Sequence, residues 1–271
     1  MNKTVLITGA SSGIGKVTAK HFQNQGWNVI ATMRSPEKEE ELTKLDHVLV
    51  TKLDVLDHNS INQSVQAGIE EFGKIDVLVN NAGYGAYGPL EAFPRENIVR
   101  QFNTNVIGLL DVTRAVLPHF RKNRSGVIIN ISSIGGKITF PLGSLYHGTK
   151  FAVEGISESL SFELGSIGIK VKLVEPGMIN TDFSGRSFDF QNNEGLAEYQ
   201  PVVGAVMQGF SQAGQNSSEP EVVADVIFEA ATDNNDTLRY RAGADAHQYL
   251  DGRQAIGDEA FVREMKKNFG L

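Results

Sequence analysis

Tyr146 and Lys150 stand four residues apart. On a helix that spacing puts both side chains on one face. A free phenol titrates near 10 and is a weak acid–base group at neutral pH. A neighbouring ammonium favours the phenolate, so Lys150 is the expected tuner of Tyr146. Alone, the pair also fits the polar face of an amphipathic helix. A second feature reverses that weighting. Near the start, Thr8-Gly9-Ala10-Ser11-Ser12-Gly13-Ile14-Gly15 joins a strand-like run to a helix-like one. Its glycines let backbone N–H groups approach a pyrophosphate, and the helix N-terminus adds partial positive charge. The spacing is G-x-x-x-G-x-G rather than the common G-x-G-x-x-G. The implied chemistry is proton transfer by a tuned phenol beside a bound dinucleotide.

Such a site needs a scaffold, and the first 180 residues supply one. β-rich runs recur at Thr4–Thr8, Val29–Met33, Val48–Leu53, Ile75–Asn80, Val127–Ser132 and Ile169–Val174. Segments long enough for helices separate them, which predicts βαβ units and a parallel sheet. Helices are predicted over Ile14–Gln25, Arg95–Arg121 and Leu145–Ser166. Phe151 and Phe162 lie off the apolar stripe of the last, pointing to a second buried face. Residues 182–217 show weak periodicity. Beyond them a helix is expected over Glu219–Ala231, a strand over Leu238–Arg241 and one or two helices over Ala244–Asn268. No linker divides the 271 residues, so one α/β domain is expected.

The net charge of −7 is the wrong sign for a nucleic-acid surface. With no cysteine, disulfides, thiolate catalysis and Cys-ligated metals are excluded. The six histidines have no ligand spacing and are read as non-metal. The opening apolar run is too short for a signal segment or a membrane span. A cytoplasmic protein that starts directly in a strand is the expectation.

Further segments follow in order: Asn80-Asn81-Ala82-Gly83, Asn103-Thr104-Asn105-Val106-Ile107-Gly108, Ser132-Ser133, Tyr146-His147-Gly148-Thr149-Lys150 and Pro176-Gly177-Met178-Ile179-Asn180-Thr181. With them the sequence resembles the short-chain dehydrogenase/reductase family, in the subgroup with a T-G-x-x-x-G-x-G turn and a Y-x-x-x-K site. The likeness covers about residues 3–185 and continues more loosely to the end. It is similar to 17β-hydroxysteroid and retinol dehydrogenases and to bacterial relatives.

The resemblance implies a single Rossmann-type, doubly wound parallel sheet of about seven strands with helices on both faces. It implies reversible hydride transfer between a nicotinamide and a carbonyl or secondary alcohol. Tyr146 would be the general acid/base. Ser133 would orient the substrate oxygen, with Ser132 pointing to the other side of the extended segment. Lys150 would also hold the nicotinamide ribose, and Asn105 would serve a water-mediated proton relay behind it. Gly9, Ser11, Ser12, Gly13, Ile14 and Gly15 would cradle the phosphates. Asp54 and Val55 would meet the adenine, and Asn81, Ala82 and Gly83 the adenosine side. Asn81 is equally placed to tie strands together. Pro176, Gly177, Ile179 and Thr181 would hold the carboxamide.

NAD-selective relatives carry an acid at the end of the second strand; here Met33 stands there and Arg34 follows. A guanidinium pairs with a 2′-phosphate, so NADP(H) is expected over NAD(H), with a hydroxyl contact from Ser11. The competing role for Arg34 is a solvated loop residue. Phe183, Phe188, Phe190, Tyr199, Val202, Val203, Met207 and Phe210 form an apolar lid or the ordinary packing of a flap; Tyr84, Tyr87 and Phe140 are candidates for the same pocket. The expected substrate is a small hydrophobic ketone, aldehyde or steroid-like alcohol. The expected assembly is a homodimer or homotetramer, paired through the 95–121 and 145–166 helices. The alternative function is a non-enzymatic NADP-binding redox sensor on the same fold.

Overall fold

The computed structural model describes residues 2–181, 187–214 and 217–271. Its first strand, β1 (Thr4–Ile7), is buried on both faces. Val5 and Ile7 join one apolar cluster and Leu6 the other, which is why the run has no polar side. α1 (Gly13–Asn24) returns the chain over the first face. β2 (Asn28–Met33) pairs parallel to β1, and β3 (Val48–Lys52) pairs outside β2. α2 (His58–Phe72) crosses on the opposite face. Asp57 caps it by accepting from the Asn59 and Ser60 amides. β4 (Val77–Asn80) then pairs on the free side of β1, so the strand order reverses direction there.

β5 (Gly85–Tyr87) stands outside the main sheet. α3 (Arg95–Phe102) and α4 (Gly108–Asn123) are joined by a π-helical turn, Asn103–Ile107. β6 (Gly126–Ile131), α5 (Ser144–Gly165) and β7 (Ile169–Pro176) complete the next crossover. β8 (Phe188–Phe190) pairs with β5. α6 (Gln200–Gly214), α7 (Pro220–Thr232), β9 (Arg239–Ala242), α8 (Ala244–Ile256) and α9 (Asp258–Asn268) follow. Among the described residues the main sheet has seven parallel strands in the order β3-β2-β1-β4-β6-β7-β9.

Helices cover both faces. α1 and α7 seal one with Phe22, Val223 and Ile227. α2, α4 and α5 seal the other with Ile61, Val65, Val112, Val116, Phe120 and Leu164. Each such side chain is stabilised by roughly 1.5–3 kcal/mol on burial, so these two layers hold the sheet. The doubly wound α/β architecture is therefore what the sequence texture predicts. Among the described residues no helix is long and apolar enough to cross a membrane.

Three details differ from the sequence reading. The 95–121 helix is broken by the π turn and runs on to Asn123. Residues 182–217 contain α6 and β8, which weak periodicity and interspersed glycines conceal. Phe151 and Phe162 are 42% and 76% exposed, so among the described residues nothing buries a second face of α5. The terminal region is two helices, separated at Gly257.

Candidate active site

The crevice outside β1 and β4 is where an open α/β sheet takes its ligand. Gly9 and Gly13 have φ of 70° and 52° there. A Cβ on Gly15 would overlap Gly9 O and lie 2.5 Å from Asn81 Nδ2. Ser12, the N-cap of α1, makes no side-chain cap, and the first turn carries no acid. The leading N–H groups of α1 are thus left to an anion. Main chain, positive φ and helix end together have the form that a pyrophosphate requires.

Asn81 ties the ends of β1 and β4 together. Its Nδ2 donates to Thr8 O at 2.9 Å and Gly9 O at 3.2 Å, while Thr8 Oγ1 accepts from the Asn81 and Ala82 amides. Gly83 lies against Asn105; a Cβ there would sit 3.1 Å from Asn105 Oδ1. Asp54 Oδ1 accepts from Leu56 N and shapes the turn after β3, and Val55 packs on Gly108. Thr181 borders the glycine turn, 3.4 Å from where a Gly13 Cβ would be. Met33 is buried in the apolar cluster at the end of β2. Arg34 is exposed and forms no ion pair with a described residue.

α5 positions the reactive side chains. Tyr146 is buried and hydrogen-bonded to Ser133. Burial pushes the phenol up to about 12, and the Ser133 bond opposes that rise. Lys150 Nζ lies 5.7 Å from the Tyr146 ring centroid and donates to Ile131 O at 2.8 Å. Burial pulls this ammonium down to about 8. The expected lowering of the phenol by Lys150 is therefore not what this arrangement produces. The ammonium is engaged by a carbonyl, and desolvation of the phenolate wins. Ser132 Oγ is buried on the other side, beside Gly136, and does not meet Tyr146.

Asn105 sits in the π turn, buried where Asn103 is exposed. Its Oδ1 accepts from Tyr84 N, and its Nδ2 donates to Tyr84 O and Thr149 Oγ1. Thr149 Oγ1 donates in turn to Tyr146 O. These bonds tie Asn105 to α5 rather than to the Lys150 side chain. His147 has a role that the sequence hides. Its Nε2 accepts from Phe140 N at 3.0 Å, which leaves Nδ1 to donate to Gly135 O at 2.9 Å. Burial pulls it down to about 4, so it is a neutral staple on the loop carrying Ser133.

Pro176 ends β7, and Gly177 N donates to Ala242 O. Asp245, at the start of α8, accepts from Met178 N at 2.6 Å and crowds the Gly177 position. It fixes this turn from a region of the sequence with no motif. Ile179 bridges to Ser218. Tyr87, on β5, packs 5.5 Å from Tyr146, stacks on Phe188 at 5.3 Å and meets Phe210 edge-on at 5.4 Å. Phe190 stacks behind Phe188. Arg100 and Asn97 pin the intervening Asp189. Of the apolar set expected at the pocket, Phe188 and Phe210 reach Tyr87. Phe140 packs on His147, while Tyr84 is turned to Arg100 and Tyr199 to Glu91. Phe183 lies outside the described residues.

The family model for short chain dehydrogenase matches residues 3–192. The chain belongs to the short-chain dehydrogenases. It is an oxidoreductase. An uncharacterized oxidoreductase of Schizosaccharomyces pombe is 45% identical over 239 residues, covering 88% of this chain and all of that protein. A 3-ketodihydrosphingosine reductase of Bacteroides thetaiotaomicron is 47% identical over 180 residues, 66% of this chain and 65% of its own. Retinol dehydrogenase 8 of Bos taurus is 35% identical over 257 residues, 88% and 81% of the two chains. Among solved structures, a short-chain dehydrogenase from Streptomyces avermitilis superposes with a TM-score of 0.83 at 33% identity, covering 99% of this chain and 96% of that one. ElxO with NADP bound gives 0.73 at 30%, covering 89% and 98%. A 3-ketoacyl-(acyl-carrier-protein) reductase of Brucella melitensis, complexed with NADH, gives 0.72 at 26%, covering 89% and 97%.

Proposed function

We propose that this short-chain dehydrogenase is an NADP(H)-dependent carbonyl reductase acting on a hydrophobic ketone or aldehyde. The observation that carries the reading is Tyr146 held between Ser133 and Lys150, at the edge of a sheet whose first turn suits a pyrophosphate. When bound, the nicotinamide supplies the hydride. Tyr146 Oη, protonated throughout the neutral range, donates its proton to the carbonyl oxygen. Ser133 Oγ orients that oxygen. Lys150 brings positive charge beside the phenolate that remains. Gly9, Ser11, Ser12, Gly13, Ile14 and Gly15 would hold the phosphates, and exposed Arg34 the 2′-phosphate. Asp54 and Val55 would border the adenine, with Pro176, Gly177, Ile179 and Thr181 at the carboxamide.

The chain is read as one domain in which the 182–217 segment, described over 187–214 and at 217, serves as the substrate lid. Tyr87, Phe188 and Phe210 give the pocket an aromatic wall, in keeping with relatives named for a long-chain ketone and for retinol. Val99, Phe102, Ile107, Phe151 and Phe162 expose apolar surface on α3, the π turn and α5, and a homo-oligomer covers it. Light scattering at micromolar concentration is expected to exceed the 29.5 kDa of one chain.

The test is NADPH oxidation against 3-ketodihydrosphingosine, retinal and steroid ketones. Tyr146→Phe is expected to lower turnover by about 10²–10⁴-fold and leave NADPH binding intact. Retention of more than roughly a tenth of the rate would assign the acid to another group. Tight NADPH binding without turnover of any carbonyl would favour the redox-sensor alternative.

A further inference from the structure

A second set of buried charges lies behind Lys150. Glu154 follows it by one turn on α5, Glu175 is on β7 and Arg239 on β9. Glu154 and Glu175 are 4% and 2% exposed. Arg239 Nε lies 2.9 Å from Glu154 Oε2 and 3.6 Å from Glu175 Oε1, and its Nη2 donates to Glu158 at the surface. One guanidinium thus serves two buried carboxyl groups. Among the described residues Ser132 Oγ, Glu154 Oε1 and Glu175 Oε1 are buried without a hydrogen-bond partner. Ile131 pairs with Val174, so Ser132 and Glu175 are the next residues in register. Gly136 closes the space: a Cβ there would lie 2.7 Å from Ser132 Oγ and 2.9 Å from Glu154 Cγ. The charged groups around the pair are Lys150 and Glu158 on α5, Lys137 on the loop after β6, and Arg239 and Arg241 on β9.

Two desolvated carboxylates that share one adjacent guanidinium, with the other cations farther off, do not both stay ionised cheaply. We propose that Glu154 and Glu175 hold one proton between them, on the Glu175 side, and that ionised Glu154 is a positioning residue that keeps Lys150 charged. Burial and the Glu154 charge push Glu175 up to about 7. Glu154 also opposes the burial that pulls Lys150 down to about 8. Glu175 lines a groove of about 790 Å³ shared with Lys137, Phe151, Arg241 and Arg253. The inference rests on Lys150 being the lysine of the proposed reaction.

Two measurements on the full-length protein test it. Infrared titration of the ligand-free protein should show a protonated-carboxyl C=O band at about pH 6 that fades through neutral pH. Glu175→Gln, isosteric with the protonated acid, should remove it. In NADPH-dependent reduction of the best carbonyl of the panel, Glu154→Gln should move the alkaline limb of kcat down by about one pH unit. Glu154→Asp should restore part of the shift, a recovery that mere packing would not give. A band that survives Glu175→Gln overturns the shared proton. An alkaline limb unmoved by Glu154→Gln, in an enzyme that Tyr146→Phe inactivates, overturns the role of Glu154. Turnover retained by Tyr146→Phe removes the catalytic reading instead, and the infrared band still decides the proton.

Discussion

The glycine turn after β1 is built from main chain, and the strap formed by β5 and β8 is built from side chains. In the turn, Gly9, Gly13 and Gly15 clear space, and the donors are amides of the helix end. In the strap, Tyr87, Phe188 and Phe190 stack in a row, Phe210 of α6 meets Tyr87 edge-on, and Asp189 is pinned by Arg100 and Asn97. A site made of backbone has almost no tolerance for an added atom. A site made of interlocked rings tolerates exchange as long as its volume is filled. The first kind is written in glycine spacing, whereas the second leaves only a scatter of aromatic residues.

Substitutions can break or sharpen this contrast. The largest effect is expected from Gly15→Ala, because the nearest atoms are the fixed Gly9 carbonyl and Asn81 Nδ2. NADPH affinity should fall by roughly a thousandfold, about 4 kcal/mol, in a fluorescence titration. Affinity within about threefold of wild type would show that the turn yields as readily as the strap.

His147 tests the side-chain half, since it packs against Tyr87 and Phe140. The folded protein holds it at about 4, and an unfolded histidine titrates near 6.5. The unfolded chain therefore takes up the proton first as the solution is acidified. The stabilisation is complete above about pH 6.5 and is lost as pH falls through 4, a span worth about 3 kcal/mol. Thermal denaturation of wild type should decline across that window. His147→Gln should flatten this part of the curve.

Arg34 lies between the two kinds of site, a side chain at the rim of the main-chain cradle. Arg34→Ala should weaken NADPH by about ten- to hundredfold and leave NADH nearly unchanged, measured as kcat/KM at fixed ionic strength. Equal loss for both cofactors would return Arg34 to the solvated surface. Met33→Asp carries an added cost, because Met33 is packed in the apolar cluster.

The smallest effect belongs to a glycine on the strap side. A Cβ on Gly204, in α6, meets nothing within 4 Å. Gly204→Ala should leave NADPH binding unchanged and stabilise α6 by up to about 1 kcal/mol, seen as a small rise in Tm.

The contrast also explains what could be read beforehand. Strands such as Val127–Ile131 announce themselves because burial on both faces leaves an almost unbroken apolar run, interrupted by Asn130, whose amide is hydrogen-bonded to Asn80 and Ser157. Ser133, in the turn after β6, meets Tyr146 on α5, and Lys150 lies one helical turn further on. Ser132 and Ser133 separate to opposite sides because the segment is extended. What stayed hidden depends on long-range partners. His147 is meaningful once Gly135 and Phe140 fold around it, and Asp245 once α8 meets the turn after β7. The tuning of Tyr146 by Lys150 is not legible from adjacency: four residues of spacing fix a shared face but not where an ammonium points.

The π turn at Asn103–Ile107 has a consequence for how this family of helices tolerates length change. A π turn is an α-helix carrying one surplus residue. Each residue of an α-helix advances the azimuth by about 100°. Removing one residue from this stretch would let the helix close into regular α geometry. Because the surplus is taken up within the turn, α3 and α4 would keep their places, and Val112, Val116 and Phe120 would stay on the sheet. The change would fall on the turn itself, where Asn105 meets Tyr84 and Thr149. The surplus residue therefore works as a local offset: it moves one amide toward the site and leaves the greasy stripe of the same rod undisturbed.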